Sequence, residues 1–434
     1  MSLNSNAGTV RWSFPAPSAP LAPRVKMASV TADRTGAVLR ELLSPAGVAD
    51  PYAVYRRLHA DAAAGRDLGR LVIGHADAIT VLADRTLSSD RITTTLKPLS
   101  DSGHPPFDPL ERTLRAIVAF QDAPAHTRVR RLLQSSFTPA VVRRQRDAIT
   151  NVASRLVDRF ADEPSRCSDL VAAVTFPLPA LVIGTLLGID DRDLPQFQSW
   201  ALQLVRFFAT GRPDVALATE TQAALMAMRA FMTDLVPRRR ADAGDDLLSA
   251  MIAARDGDGA LTEDELFANA LFLMTAGHET AANQLGNGVR ALLDHREQRL
   301  LLMAEPTRLD SAVEEMLRYD SAVQMTARTV IGDRTMIGRE WQTGAAAVVL
   351  LGAANRDPAR FDEPDQFDIT RTPNAPLSFA HGAHHCLGAA LAREELRVVI
   401  PLLFDRLPAL ALAEPIECQP TLDFRGPTRL VVRW

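Results

Sequence analysis

The sequence predicts a mainly α-helical domain with a small β part. Of its 434 residues, 47% are hydrophobic, which is enough for a large buried core and excludes a disordered or collagen-like chain. Long segments repeat their apolar residues at helical spacing. Strand-like segments are fewer and shorter, at Leu71–Gly74, Ala345–Leu351 and Leu430–Val432.

The first residues are predicted to form an arm that is separate from this domain. Residues 1–33 contain Pro15, Pro17, Pro20 and Pro23 without apolar periodicity, which is typical of a loose segment. No basic stretch leads into an apolar run there, so the pattern of a signal peptide is not present. We therefore place a single domain at residues 34–434.

Two segments in the first half of the chain predict buried helices. Val141–Phe160 has apolar residues that share one helix face, namely Val141, Val142, Ile149, Val152, Leu156, Val157 and Phe160. Leu170–Ile189 is 20 residues without a charge, long enough to span a bilayer. Because Pro177 and Pro179 interrupt it, a buried, proline-broken helix is the better interpretation, and we expect no membrane segment.

The clearest helix follows Thr262, which forms a capping-box pattern with Glu265. No proline occurs until Pro306, so the helix can run from Glu263 to Asp294, about 48 Å at 1.5 Å per residue. Its middle is apolar. A helix this long and this apolar is expected to cross the interior of the domain.

Charge and cysteine content exclude several classes of protein. Lys plus Arg is 48 and Asp plus Glu is 52, so the chain lacks the basic excess of a nucleic-acid-binding protein. The three cysteines, Cys167, Cys386 and Cys418, are far apart and show no CxxC spacing. Neither a disulfide framework nor a zinc ribbon is expected, and the cytoplasm is the predicted compartment.

The most informative segment is Phe379-Ala-His-Gly-Ala-His-His-Cys-Leu-Gly388. A helical pattern begins at Ala389, so Cys386 lies at or just before a helix N-terminus. The free N–H groups there are expected to lower the pKa of the thiol.

Taken alone, this loop is compatible with three kinds of site. Cys386 can be a packed core thiol, which is the commonest fate of a free cysteine. It can belong to a zinc site with the neighbouring histidines, although the spacing matches no usual zinc motif. It can also bind haem iron as a thiolate, with Gly382 and Gly388 letting the backbone wrap the sulfur.

The loop resembles the haem-binding signature of the cytochrome P450 superfamily, Phe-x-x-Gly-x-His/Arg-x-Cys-x-Gly, with further matching segments across residues 34–434. The resemblance implies the cytochrome P450 fold as a single haem-binding domain. It also implies haem b as cofactor, with Cys386 as the axial thiolate ligand of the iron. The signature positions that would contact the haem are Phe379, Gly382, His384 and Gly388.

The long helix carries Ala276-Gly-His-Glu-Thr280. The Thr280 hydroxyl can bond the Ala276 carbonyl and open the helix locally, and Gly277 lets a ligand approach the backbone. The resemblance implies that Glu279 and Thr280 are the acid–alcohol pair that delivers protons during O₂ reduction. An ordinary helical threonine beside a surface glutamate is the alternative.

Glu315-Met-Leu-Arg318 resembles the Glu-x-x-Arg motif of the family, a structural ion pair with both side chains on one helix face. The family places an arginine in a nearby Pro-Glu-Arg-Phe-like segment. Here the counterpart is Pro364-Asp-Gln-Phe367, so Gln366 stands at that position. Arg371 can supply the charge instead.

The two haem propionates need cationic partners. The resemblance implies four: His126 and Arg130, four residues apart on one helix face, together with Arg328 and His384. Other basic residues of this region are either a solvated face or a docking patch for an acidic ferredoxin. These residues are Arg128, Arg131, Arg143, Arg144 and Arg146.

The resemblance implies a haem-thiolate monooxygenase of the soluble bacterial type. It would insert one oxygen atom of O₂ into a small, largely apolar organic substrate by hydroxylation or epoxidation, in secondary metabolism or on a xenobiotic. With no flavin or NAD(P) domain expected, electrons would come from a ferredoxin or flavodoxin and its reductase. Oxidative coupling or nitration at the same haem, and a non-catalytic haem gas sensor, are the alternatives.

The substrate cavity is expected to be mainly apolar with a few polar groups. The alternative for its aromatic residues is a place in the core. The residues predicted to line it are Phe272 and Leu273 of the long helix, Val323, Gln324 and Thr326 after Arg318, and Phe207 and Phe208 of a lid.

Overall fold

The computed structural model describes residues 33–101, 107–190, 192–209, 213–244, 246–256, 259–418, 421 and 423–434. Of the predicted arm, only Asp33 lies among these residues. The α-helices are α1 (Arg34–Leu42), α2 (Pro45–Ala49), α3 (Pro51–Ala63), α4 (His75–Ala83), α5 (Ile92–Ser100), α6 (Asp108–Ala116), α7 (Ala125–Gln134), α8 (Pro139–Arg144), α9 (Arg146–Ala161), α10 (Pro177–Leu186), α11 (Leu194–Ala209), α12 (Val215–Ala241), α13 (Leu247–Ala253), α14 (Glu263–Asp294), α15 (Arg296–Ala304), α16 (Leu309–Tyr319), α17 (Leu351–Ala354) and α18 (Ala389–Arg406).

The strands are short and form small separate sheets. Their bounds are β1 (Leu71–Val72), β2 (Cys167–Asp169), β3 (Arg255–Asp256), β4 (Gly259–Ala260), β5 (Met325–Thr329), β6 (Arg334–Met336), β7 (Arg339–Trp341), β8 (Ala346–Leu350), β9 (Ala411–Leu412), β10 (Glu417–Cys418), β11 (Pro427–Arg429) and β12 (Val431–Arg433). A three-stranded sheet has the order β1-β8-β5, with β1 parallel and β5 antiparallel to β8, and a second has the order β2-β12-β9. Two-stranded sheets pair β3 with β4, β6 with β7 and β10 with β11. The prediction of a mainly α fold with a small β part is confirmed.

Helix α14 is the central element of the fold. It begins after the Thr262 cap, whose side chain and backbone both bond with Glu265, and it runs without interruption to Asp294 as predicted. It packs against α6, α10, α11, α16 and α18, so most of its length is buried. The sites on α14 are therefore held from several sides.

Two of the predicted helical segments are interrupted. The Val141–Phe160 segment is divided between α8 and α9, because Gln145 has ψ −2° and interrupts the helical backbone. The Leu170–Ile189 segment forms a π-helical turn at Val171–Thr175 followed by α10, which begins at Pro177. Proline favours the first position of a helix, so the break falls where it was predicted. No described helix is both long and apolar enough to cross a bilayer.

Candidate active site around Cys386

Cys386 lies in a tight loop between a 3₁₀ turn at Gly382–His384 and the start of α18. Its backbone N–H donates to the Phe379 carbonyl oxygen over 3.0 Å, which closes the loop. The Arg393 guanidinium of α18 lies 4.6 Å from the centroid of the Phe379 ring. The loop and the following helix are thus packed together around the cysteine.

A close approach to α4 requires glycine at position 382. Gly382 has φ +74°, and a Cβ added there would lie 2.5 Å from the Leu82 carbonyl oxygen. A Cβ added at Gly388, by contrast, would have no atom within 4 Å. Gly382 therefore fixes the loop on α4, and Gly388 leaves open space beside the start of α18.

Ala380 is strained, and we expect Ala380→Gly to stabilise the protein. The φ of Ala380 is +57°, a conformation that costs an L-residue about 1–2 kcal/mol and that glycine adopts without strain. Glycine loses more backbone entropy on folding, and this loss offsets part of the gain. The free energy of unfolding in urea should rise by about 0.5–1 kcal/mol. Ala383→Gly is the control, since Ala383 is in the 3₁₀ turn without a positive φ, and it should destabilise. A loss of stability in both variants would contradict the assignment of strain.

The Cys386 thiol is both accessible and desolvated. Cys386 has exposed surface. Burial nevertheless raises the pKa of its thiol, and this rise is larger than the lowering by the Gly388 N–H and by the cations Arg130 and Arg393. A group with both properties faces an internal cavity rather than the outer surface. The start of the helix lowers this pKa through the Gly388 N–H, as predicted, but burial has the larger effect, so the net pKa is raised rather than lowered. A bound metal cation would still deprotonate a coordinating thiol.

The four predicted propionate partners lie close together. The imidazole rings of His126 and His384 stack with 4.0 Å between their centroids. Burial lowers the pKa of His384 to about 3, with further lowering by His126, Arg328 and Arg130. Burial also lowers the pKa of His126, with Arg130 as the next cause. Each of the four groups is close enough to affect the protonation of another.

Neither guanidinium of this cluster has an acidic partner among the described residues. Burial lowers the pKa of Arg328 to about 10, and its Nη1 donates only to the carbonyl oxygen of Ala327. Burial likewise lowers the pKa of Arg130, and the nearby Cys386 opposes this effect. The one carboxylate that affects the cluster, Asp122, accepts hydrogen bonds from Ser88 and from the backbone N–H of Ser89.

This donor set fits the cofactor that the resemblance implies. Two desolvated guanidinium groups without carboxylate partners match the two propionates of haem. An accessible thiol lies near Arg130, as an axial thiolate ligand requires. In the described part of the chain, no three His, Cys, Asp or Glu side chains are grouped as metal ligands, so the zinc interpretation is wrong.

Helix α14 presents the predicted ligand-facing residues. The Thr280 hydroxyl donates to the Ala276 carbonyl oxygen over 2.6 Å, while the helix stays continuous, so the predicted local opening is not observed. A Cβ added at Gly277 would contact only Ile183, at 3.9 Å, so a flat group can approach this backbone. Glu279 is half-buried, and α14 contacts α18, the helix that follows Cys386.

His278, between these residues, points into the core. Its Nε2 lies 2.9 Å from the Phe176 carbonyl oxygen, and its ring packs on that of Phe176. Burial lowers the pKa of His278 to about 4, so the imidazole is neutral at pH 7. It therefore attaches α14 to the start of α10.

The Glu315–Arg318 pair is fully buried. Arg318 binds both carboxylate oxygens of Glu315 at 2.8 Å, and it donates to the carbonyl oxygens of Asn355, Pro364 and Gln366. The Arg371 Nε lies 3.3 Å from Glu315, so Arg371 is the second cation of this network. Gln366 contributes its backbone carbonyl, which also accepts from Arg371.

The predicted substrate residues divide into two groups. Phe120 connects Phe208 of α11 and Phe272 of α14, with ring centroids 5.1 and 5.8 Å away, and all three rings are half-buried. Leu273, Val323 and Thr326 are also half-buried and keep accessible surface.

Phe207 and Gln324 lie elsewhere, which corrects two predictions. Phe207 is fully buried in the main core, so the alternative interpretation, a core position, is correct for this residue. The Gln324 side chain accepts a hydrogen bond from Tyr55 and donates to the Ser321 carbonyl oxygen, so its polar atoms stabilise the packing of α3. It is not available as a polar group for a substrate.

One residue near this site is not among the predicted site residues. Arg91, the residue before α5, lowers the pKa of both Arg328 and His384 through its charge. It lies outside every motif, and only the fold brings it to the cluster.

Comparison with known proteins agrees with this geometry. Residues 70–408 match the family model Cytochrome P450. The chain is 37% identical to cytochrome P450 monooxygenase PikC of Streptomyces venezuelae over 89% of this chain and 91% of that protein. It is 35% identical to 6-deoxyerythronolide B hydroxylase of Saccharopolyspora erythraea over 84% of this chain and 89% of that protein.

Solved structures show the same fold. P450BioI, in complex with an acyl carrier protein ligated to hexadec-9Z-enoic acid, is similar with a TM-score of 0.80 and 31% identity, covering 91% of this chain and 100% of that one. With a family model matching most of the chain, and with relatives of this identity and coverage, the protein belongs to the cytochrome P450 family of haem- and O₂-dependent monooxygenases.

Proposed function

We propose that the protein hydroxylates or epoxidises a small, largely apolar organic molecule, inserting one oxygen atom of O₂. The observation that carries the proposal is the accessible Cys386 thiol near Arg130, in a cluster whose two guanidinium groups have no carboxylate partner among the described residues. The half-buried rings of Phe120, Phe208 and Phe272 give the substrate an apolar contact surface.

Each residue of the site has a binding or positioning role in this proposal. Cys386 binds the haem iron, and Arg130, Arg328, His126 and His384 hold the two propionates. Gly277 and Gly388 allow close approach of the flat macrocycle, while Gly382 fixes the loop that presents the thiolate. The haem, when bound, supplies the activation of O₂ and the oxidation of the substrate.

Proton delivery is assigned to Thr280 with Glu279. The Thr280 hydroxyl donates to Ala276, so its oxygen lone pairs point away from that carbonyl and can accept a hydrogen bond from a ligand. A hydroxyl in this position can also turn and donate its proton. Glu279 is adjacent and half-buried, and a carboxylate there can replace the proton from solvent.

Electrons are proposed to come from a separate ferredoxin or flavodoxin and its reductase. Two of the basic residues considered for docking have acidic partners in the fold, since Arg128 pairs with Glu265 and Arg146 with Glu394. Arg143 and Arg144 of α8 are exposed and form no ion pair with a described residue. These two arginines are therefore the proposed contact for an acidic partner.

Thr280→Ala tests the proton-delivery role. With any molecule that shifts the Soret band of the haem-bound protein, product formed per reductant consumed should fall about 10-fold or more, with hydrogen peroxide released instead. Product, reductant and peroxide are measured in the same reaction.

Thr275→Ala is the matched control for this experiment. Thr275 lies on the same helix and makes the same kind of bond, donating to the Leu271 carbonyl oxygen over 2.9 Å. Its removal should leave the ratio of product to reductant unchanged. Full coupling in Thr280→Ala would show that the assigned role is wrong.

A further inference from the structure

Arg91 lies where the segment before α5 meets the sheet of β5. A β-bridge between Ser88 and Thr329 holds this segment beside β5. The Arg91 Nη2 donates to the Thr326 hydroxyl oxygen over 2.9 Å, and the residue remains exposed. Its guanidinium is therefore positioned by the strand while its other N–H groups are accessible.

Arg91 shares one face of β5 with the propionate partner Arg328. Alternate residues of a strand point to the same face, so Thr326 and Arg328 lie side by side. The positive charge of Arg91 lowers the pKa of Arg328 and of His384. The site thus brings a third guanidinium to a place where two others already match the two propionates.

No described carboxylate forms an ion pair with Arg91. Asp423 is the carboxyl that shares the corner, because the Asp423 carbonyl oxygen accepts from the Gln324 N–H just before β5. Burial raises the pKa of Asp423, and the charge of Arg91 offsets part of this rise, so the two groups interact without forming an ion pair. Asp122 is engaged by Ser88 and Ser89, so no described carboxylate accepts a hydrogen bond from the Arg91 guanidinium.

We propose that Arg91 binds an anionic group of the substrate, so that the enzyme selects amphiphilic molecules with an apolar body and a carboxylate. The inference rests on the proposed function, because it places that group in the same haem cavity. It uses Thr326 to orient the guanidinium and leaves Arg130 and Arg328 to the haem.

The test compares two probes with the same number of carbon atoms, one with a charged carboxylate and one with a neutral hydroxyl group. Dodecanoate and dodecan-1-ol are titrated into the haem-bound protein, and binding is followed by the shift of the Soret band. Arg91→Gln should weaken dodecanoate about 10-fold or more, since a charge-assisted hydrogen bond is lost, and should leave dodecan-1-ol unchanged. Arg308→Gln, which removes an equal charge from a surface pair with Glu305, should change neither.

Haem transfer to apomyoglobin separates this inference from its alternatives. The rate of transfer should be the same in Arg91→Gln and wild type. Faster transfer from the variant would show that Arg91 binds a haem propionate, which overturns the inference. Equal weakening of both probes, or no binding of dodecanoate to the wild type, also overturns it. The carbonyl spectrum of the wild-type protein tests the haem-thiolate site on which the proposed function depends, independently of either probe.

Discussion

Cys386→Ala should abolish the strongly red-shifted Soret band of the reduced carbonyl complex and all monooxygenase activity. A methyl group cannot coordinate iron, so any haem that remains bound would take another ligand and lose the electron donation of the thiolate. The Cys386 thiol is the accessible sulfur next to Arg130. The measurement is the absorption spectrum of dithionite-reduced protein with and without carbon monoxide.

The other two cysteines provide matched controls. Cys167 is exposed on β2, and Cys418 of β10 lies 3.9 Å from the Arg290 guanidinium, so neither belongs to the cation cluster. Cys167→Ala and Cys418→Ala should both keep the red-shifted band. Retention of the band in Cys386→Ala, or its loss in a control, would be incompatible with Cys386 as the axial ligand.

Local sequence signals were sufficient for the central helix. A capping box fixes the start of α14, and the absence of proline lets it continue, so its start and its length follow from residues within the segment. The same holds for the break at Pro177, where one residue type restricts the backbone. Features of this kind depend on near neighbours, which a single sequence contains.

Features that depend on distant contacts could not be predicted in this way. Burial determines the direction of the Cys386 pKa, and burial depends on all the elements around the loop. Gln324 follows the pattern of a cavity residue, but Tyr55 of α3 occupies its amide oxygen. Arg91 joins the cluster only because the segment before α5 pairs with β5. Tertiary packing, rather than local pattern, decided each case.

Arg318→Met should cost about 3–5 kcal/mol of the free energy of unfolding, because it leaves the Glu315 carboxylate buried without its bidentate partner. Both side chains are fully buried, and three backbone carbonyls lose the same donor. Urea unfolding of the haem-bound protein measures the loss. Arg371→Gln should cost less, because the Arg371 Nε lies 3.3 Å from Glu315 and does not bind both carboxylate oxygens in a fork. This milder variant keeps the test possible if Arg318→Met does not fold.

A surface pair of the same spacing shows why burial sets this magnitude. Glu305 and Arg308 are also three residues apart, with 2.7 Å between Nε and the carboxylate, but both side chains are exposed. Water replaces the interaction when such a pair is broken, so Arg308→Met should cost less than about 1 kcal/mol. If Arg318→Met and Arg371→Gln cost no more than Arg308→Met, the buried network does not stabilise the fold. If Arg318→Met and Arg371→Gln both cost more than Arg308→Met, Arg371 supplies the positive charge that the uncharged Gln366 does not.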